Sequence, residues 1–225
     1  MKKRDKVLIG ICFLLITSLC LYLIILRGKE PPSSLSLESL IKSDESLLAY
    51  KKFDFNKDGK DDFLLKLSRE QSIVLALFLS IQGDFQKVWE SQRLGSSEAK
   101  FWLEHEKTSL EIRDINKNGL AEVLTAASEE PSWKFLYVYV WDGSSQILIP
   151  VLRSDGPNLL TSAFFTSDVG WTTGTDLVVK KNGVIKVVGK DYYLESPPRI
   201  AEYLYKWDGE KYIFTGIKDL GPLWP

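Results

Sequence analysis

Two short stretches carry oxygen-bearing side chains at a spacing that suits a hard cation. In Asp54-Phe-Asn56-Lys-Asp58-Gly59-Lys60-Asp61-Asp62 the side-chain oxygens stand at positions 1, 3, 5 and 9, and the carbonyl of Lys60 at position 7 adds one more. Gly59, at position 6, permits the backbone conformation that wraps the chain tightly. Sixty residues later Asp114-Ile-Asn116-Lys-Asn118-Gly119-Leu120-Ala-Glu122 repeats the pattern with two carboxylates where the first loop has three. Ligand sets made only of oxygen, several of them carboxylates, suit calcium rather than zinc or copper. An EF-hand is excluded, because it needs a bidentate acid at position 12 and a helix after it. Position 12 here is Leu65, inside Phe63-Leu-Leu-Lys-Leu67, which reads as a strand. A third copy, Val178-Val-Lys180-Lys-Asn182-Gly183, has Val178, Lys180 and Lys186 where oxygens are needed, so it binds no cation. The competing reading of the first two loops is a bare turn in which Asp and Asn cap backbone N–H groups.

Other chemistry is sparse. The chain has no G-x-S-x-G and no phosphate loop, and its two cysteines, Cys12 and Cys20, both lie in an apolar run. The single histidine, His105, excludes His-rich metal sites. It is flanked by Glu104 and Glu106, but strand alternation would turn both acids to the opposite face, leaving an exposed strand histidine and not a general base. Asp84, Asp142 and Asp208 occupy corresponding hairpin turns and are the acids a cell-surface hydrolase would use. Three copies of one turn favour a structural role for them.

The elements that position these loops form a repeat. Gly83 follows Gly59 by 24 residues, Gly143 follows Gly119 by 24, and Gly209 follows Gly183 by 26. The last two glycines share the tripeptide Trp-Asp-Gly. Before one of them, Phe135-Leu-Tyr-Val-Tyr-Val-Trp141 alternates aromatic and aliphatic residues, so both faces of that strand must be covered. Tyr203, Tyr205 and Trp207 take the aromatic positions in repeat three, and Leu77, Leu79 and Ile81 take them in repeat one. Stacking between neighbouring sheets is the expected use of this ladder. Further strands are expected over 62–68, 85–90, 122–127, 146–152, 184–190 and 211–217. The fold class is therefore all-β: three four-stranded, propeller-blade-like repeats over 48–105, 106–170 and 171–225, in an open arc or a compact β assembly.

The pattern D-x-[DN]-x-[DN]-G-x-x-[DE] followed by a strand resembles the calcium loops of FG-GAP/VCBS repeats, found in the β-propeller of integrin α chains and in bacterial surface proteins. The Trp-Asp-Gly turn after a Tyr-rich strand is similar to the later hairpin of bacterial members. The likeness covers residues 48–217, and the Phe-Gly and Gly-Ala-Pro signatures of the family are absent. It implies a calcium-stiffened β-propeller repeat with Asp54, Asn56, Asp58, Lys60 (carbonyl) and Asp62 as ligands in loop one. In loop two the implied ligands are Asp114, Asn116, Asn118, Leu120 (carbonyl) and Glu122.

Ahead of the repeats, residues 7–26 run for twenty positions without a charge, enough for a helix to span a bilayer's hydrocarbon core of about 30 Å. No small-residue cleavage pair follows, so an uncleaved transmembrane anchor is expected. Lys2, Lys3, Arg4 and Lys6 precede the span against Arg27 and Lys29 after it, which keeps residues 1–6 cytoplasmic and places the rest outside. Residues 27–47 form a stalk, in which Leu37, Leu40, Ile41, Leu47 and Leu48 suggest a weak amphipathic helix. Residues 31–225 carry 23 basic and 28 acidic side chains, a net charge of −5 that argues against nucleic acid. The expected function is a membrane-anchored, calcium-binding surface module for an unidentified protein or glycan partner, with Trp102, Trp171 and Trp224 as spare aromatics for contact. The rivals are the hydrolase and a passive envelope subunit, and self-association into a homo-oligomer would close an incomplete ring.

Overall fold

The computed structural model describes residues 37–129, 133–156, 159–161, 163–167, 177–191 and 199–222. The chain divides into two compact units, Met1–Leu40 and Ile41–Pro225. The described part of the first is one turn of 3-10 helix, Leu37–Leu40. Residues 7–26 lie outside the described residues, among which no helix is long and apolar enough to cross a membrane.

The second unit is all-β, in three largely antiparallel sheets, none of them closed. The first is a meander of β1 (Glu45–Phe53), β2 (Asp62–Arg69), β3 (Ser72–Ile81) and β4 (Asp84–Glu90) in chain order. The second repeats that meander with β8 (Leu110–Arg113), β9 (Glu122–Glu129), β10 (Trp133–Asp142) and β11 (Ile147–Pro150). Short strands β5 (Ser97–Glu98) and β14 (Ala163–Ser167) fill the remaining edges of β9 and β10. The third meander is β15 (Leu177–Val179), β16 (Ile185–Asp191), β17 (Arg199–Trp207) and β18 (Tyr212–Pro222). Its first strand is joined in parallel by the hairpin of β6 (Phe101–Leu103) and β7 (Glu106–Thr108). Its last is joined in parallel by the hairpin of β12 (Arg153–Gly156) and β13 (Leu159–Thr161). The expected strands are all present, and the three loops occupy the same turn, between the first and second strands of each meander.

The aromatic ladder of β10 does what alternation requires. Tyr137, Tyr139 and Trp141 pack with Leu64, Leu75 and Leu77 of the first sheet. Leu136, Val138 and Val140 pack with Ile185, Val187 and Tyr205 of the third. The second sheet is thus covered on both faces, and the rings sit between sheets: Trp89 meets Tyr139 edge-on at 5.5 Å and Phe55 lies 5.9 Å from Trp141. Burying each of these large apolar side chains contributes roughly 1.5–3 kcal/mol.

Three expectations are corrected. The first concerns repeat one. Phe63 faces Phe78 across the β2–β3 ladder, whereas Val123, sixty residues on, faces Tyr139. Arg69 meets Ser72 across a two-residue turn and Glu129 meets Trp133 across three, and that single extra residue moves every side chain to the other face. Leu77, Leu79 and Ile81 therefore match the aliphatic face of β10, and Ala76 and Phe78 match its aromatic one. In repeat three Val187 faces Tyr203, so the aromatic face is kept. Secondly, the amphipathic helix expected near the stalk is reduced, among the described residues, to the 3-10 turn Leu37–Leu40. Glu45 N–H returns to the Lys42 carbonyl at 3.0 Å, and β1 starts there. A bulge between Leu47 and Ala49 breaks the alternation, which is why Leu47 and Leu48 imitate a helical face. Thirdly, His105 is not in a strand. It occupies an exposed turn between β6 and β7 beside Glu104, whose φ is 57°.

Candidate cation loops

Each loop is anchored by an apolar residue at position 2: Phe55, Ile115 and Val179 are all buried, fixing one end of the turn in the core. The polar side chains then fold over the backbone. In loop one the Asp54 carboxylate accepts the N–H groups of Asp58 at 3.0 Å and Gly59 at 2.9 Å. Asn56 Oδ1 accepts Asp58 N–H at 3.0 Å, and Asp58 accepts Lys60 N–H at 2.9 Å. Loop two repeats all of this: Asp114 takes Asn118 and Gly119, Asn116 takes Asn118, and Asn118 takes Leu120, at 2.8–3.2 Å. Loop three keeps only the last of these bonds, Val184 N–H to Asn182 at 3.3 Å. Lys57 and Lys117 stand in the left-handed region at φ 59° and 62°, and Gly59, Gly119 and Gly183 at 83°, 86° and 75°.

The acids at position 9 open β2 and β9, where strand parity turns them inward. Asp62 and Glu122 are both fully buried. Asp62 accepts Phe55 N–H and Ser80 N–H, each at 2.9 Å, so each of its oxygens has a donor. Glu122 accepts Ile115 N–H at 2.8 Å through Oε2, while its Oε1 is buried without a hydrogen-bond partner. Burial raises both carboxyls above the ordinary range, Glu122 to about 7, against the lowering effect of those N–H bonds. Two other buried polar atoms lack partners near this end of the fold, Asn116 Nδ2 and the Tyr212 hydroxyl. The Tyr212 hydroxyl is pushed up by burial, with the charges of Glu122 and Asp114 adding to the effect.

The donor set suits a hard cation. The side chains at positions 1, 3, 5 and 9 of both loops all carry an oxygen, and an oxygen that accepts one N–H keeps a second lone pair. Among the described residues no three His, Cys, Asp or Glu side chains converge as a ready-made metal centre, because the Asp and Asn oxygens are turned to the loops' own N–H groups. The position-9 acids thus also serve as latches that tie position 2 to the following strand. Lys60 and Leu120, expected to contribute carbonyls, are exposed, with N–H groups directed to position 5.

The acids proposed for hydrolysis are turn caps. Asp142 holds Ser144 and Ser145, Asp208 holds the N–H groups of Glu210 and Lys211, and Asp84 holds Phe85 N–H. Those bonds keep the Asp142 and Asp208 carboxyls below the ordinary range, opposite to what a general acid needs. Trp102 lies in β6 with the Lys107 ammonium 5.9 Å from its ring, while Trp171 and Trp224 lie outside the described residues.

Sequence reasoning missed Lys66. Its ammonium is fully buried and donates to the carbonyls of Ala126 at 2.6 Å, Ser109 at 3.1 Å and Ala99 at 3.5 Å, bracing the first sheet against the second. Burial lowers its pKa to about 8, with Glu98, 4.0 Å away, opposing that shift. The signal was parity: Asp62, Leu64 and Lys66 share one face of β2. No family model, curated protein or solved structure matches this chain.

Proposed function

We propose that this chain is a membrane-anchored, extracytoplasmic module of propeller-like blades whose first two loops hold calcium and whose body binds a protein or glycan at the cell surface. One observation carries the cation reading: Glu122 is a fully buried carboxylate with one oxygen that makes no hydrogen bond, at the end of an oxygen-rich loop. A buried unpaired carboxylate oxygen is costly, and a divalent cation relieves the cost. Asp54, Asn56, Asp58, the Lys60 carbonyl and Asp62 would hold one ion. Asp114, Asn116, Asn118, the Leu120 carbonyl and Glu122 would hold the other. The ion supplies charge neutralisation and stiffens the turn, and takes part in no reaction. The likeness to FG-GAP/VCBS repeats supports this reading, as do three meanders of the same strand order with the loop at the same turn. Three blades fall short of the four to eight of closed propellers, so association with further copies is part of the proposal. The charge-free span at 7–26 and its basic flank support export of the body. Extracellular calcium modules bind at about 10⁻⁴–10⁻³ M, a range useful only outside the cell.

The test is thermal unfolding of the full chain in detergent micelles, in EDTA and in rising calcium, beside Asp54→Ala/Asp58→Ala and Asp114→Ala/Asn116→Ala. A single site with a Kd near 0.1 mM gives roughly 1.4 kcal/mol at 1 mM calcium, about 2–5 °C in Tm. Each variant loses one site's share of that rise. No rise in the parent chain overturns the cation reading.

A further inference from the structure

A cleft of about 140 Å³ opens where loop two meets the β15–β16 turn and the β6–β7 hairpin. Its floor is apolar, from buried Leu103 and Ile115, and its rim carries Arg113, Lys117, Lys180 and Lys181 against Glu104 and Asp114. The meeting is fixed by backbone: a Cβ on Gly183 would come within 2.6 Å of the Ile115 carbonyl oxygen, so only glycine lets loop three sit this close to loop two. The two acids offset only half of the positive charge. Asp114 is committed to the N–H groups of Asn118 and Gly119, and Glu104 pairs with Arg113 at 3.6 Å. Lys117, Lys180 and Lys181 make no side-chain ion pair among the described residues.

Four cationic side chains against two acidic ones leave the lining of this small cleft two positive charges in excess, while the rest of the body is acidic. Such a site is stabilised by an anion of matching charge. Lys117 and Lys181 both occupy position 4 of their loops, so the repeat itself delivers one cation from each side. We propose that this cleft binds a phosphate dianion, free or as the monoester group of a larger molecule. Ammonium groups act as point charges that neutralise a dianion without the planar fork a carboxylate prefers. The space admits one tetrahedral oxyanion, and the apolar floor leaves room beside it for the carbon skeleton of an ester. This inference does not rest on the calcium reading, and it is tested without the metal.

Inorganic phosphate and glycerol 3-phosphate are each titrated calorimetrically into the full chain in detergent micelles, in EDTA at constant ionic strength. The comparison chains are Lys117→Asn/Lys181→Gln and Lys57→Asn. Asparagine tolerates the left-handed backbone of positions 57 and 117, so both chains fold, which their unfolding temperatures check. Saturable binding in the parent chain, weakened about tenfold in the double variant and unchanged in Lys57→Asn, supports the site. Tighter binding of the ester than of inorganic phosphate marks an esterified ligand, and equal binding marks free phosphate. Absence of saturable binding in the parent chain, or an equal loss in Lys57→Asn, overturns it. The second of those outcomes would mean diffuse attraction to surface lysines.

Discussion

Replacing Glu122 by Gln isolates the cost of its charge. The carboxyl is fully buried with one oxygen unpaired, and burial moves its pKa from 4.5 to about 7. That displacement corresponds to about 3 kcal/mol held against the ionised form. A carboxyl whose folded pKa lies above its unfolded one binds its proton more tightly in the folded chain. Its contribution is complete below pH 4.5 and disappears as the pH rises through 7. The amide of Gln still accepts the Ile115 N–H and carries no charge at any pH. In EDTA, the Tm of the parent chain should therefore fall relative to Glu122→Gln by about 6–10 °C between pH 4.5 and pH 8, with the variant the more stable at pH 8. Calcium at pH 8 should recover much of the loss in the parent and less in the variant. Scanning calorimetry of both full chains at three pH values is sufficient. Parallel Tm curves for the two chains in EDTA would refute the argument, because they would show that Glu122 is not held away from solvent.

Other perturbations follow from the same geometry. Gly183→Ala places a Cβ against the Ile115 carbonyl and should cost about 2–4 kcal/mol in urea unfolding, while Gly59→Ala, where the space is open, should cost only the backbone strain of about 1–2 kcal/mol. Lys66 has a folded pKa of about 8 against an unfolded 10.5, so the folded chain sheds this proton first and its stability should rise with pH across that window. Lys66→Met should flatten the rise between pH 8 and pH 10.5. Tyr137→Phe removes the 2.6 Å bond to the carbonyl of buried Leu94 and should lower stability by about 1 kcal/mol in the same assay.

Much of the strand plan was legible because apolar alternation and glycine turns are local signals. The alternation in β10 announced a sheet covered on both sides, and Asp54–Asp62 announced an oxygen-lined turn. What escaped was register. The constant glycine spacing hid the extra residue of the β9–β10 connection, since Gly83 sits in a two-residue turn and Gly143 in a longer one. Cross-sheet partners were equally invisible: nothing near Lys66 in the chain marks Ala99, Ser109 and Ala126 as its acceptors. The short strands β5, β6, β7, β12 and β13 carry too few residues for a pattern, and tertiary pairing alone makes them strands.

The hairpin of β6 and β7 has a consequence for the order in which the molecule is made. It lies ahead of the second meander in the chain, yet its partner β15 arrives some seventy residues later. During synthesis Phe101 and Leu103 must wait, with a bare strand edge beside them, until the third meander emerges. The first two meanders consist of neighbours in sequence and can close as they appear, while the last step joins distant segments and bears the entropic cost of a long loop. A nascent chain arrested before residue 177 would therefore present this edge to any passing strand, and the final meander acts as its own cap.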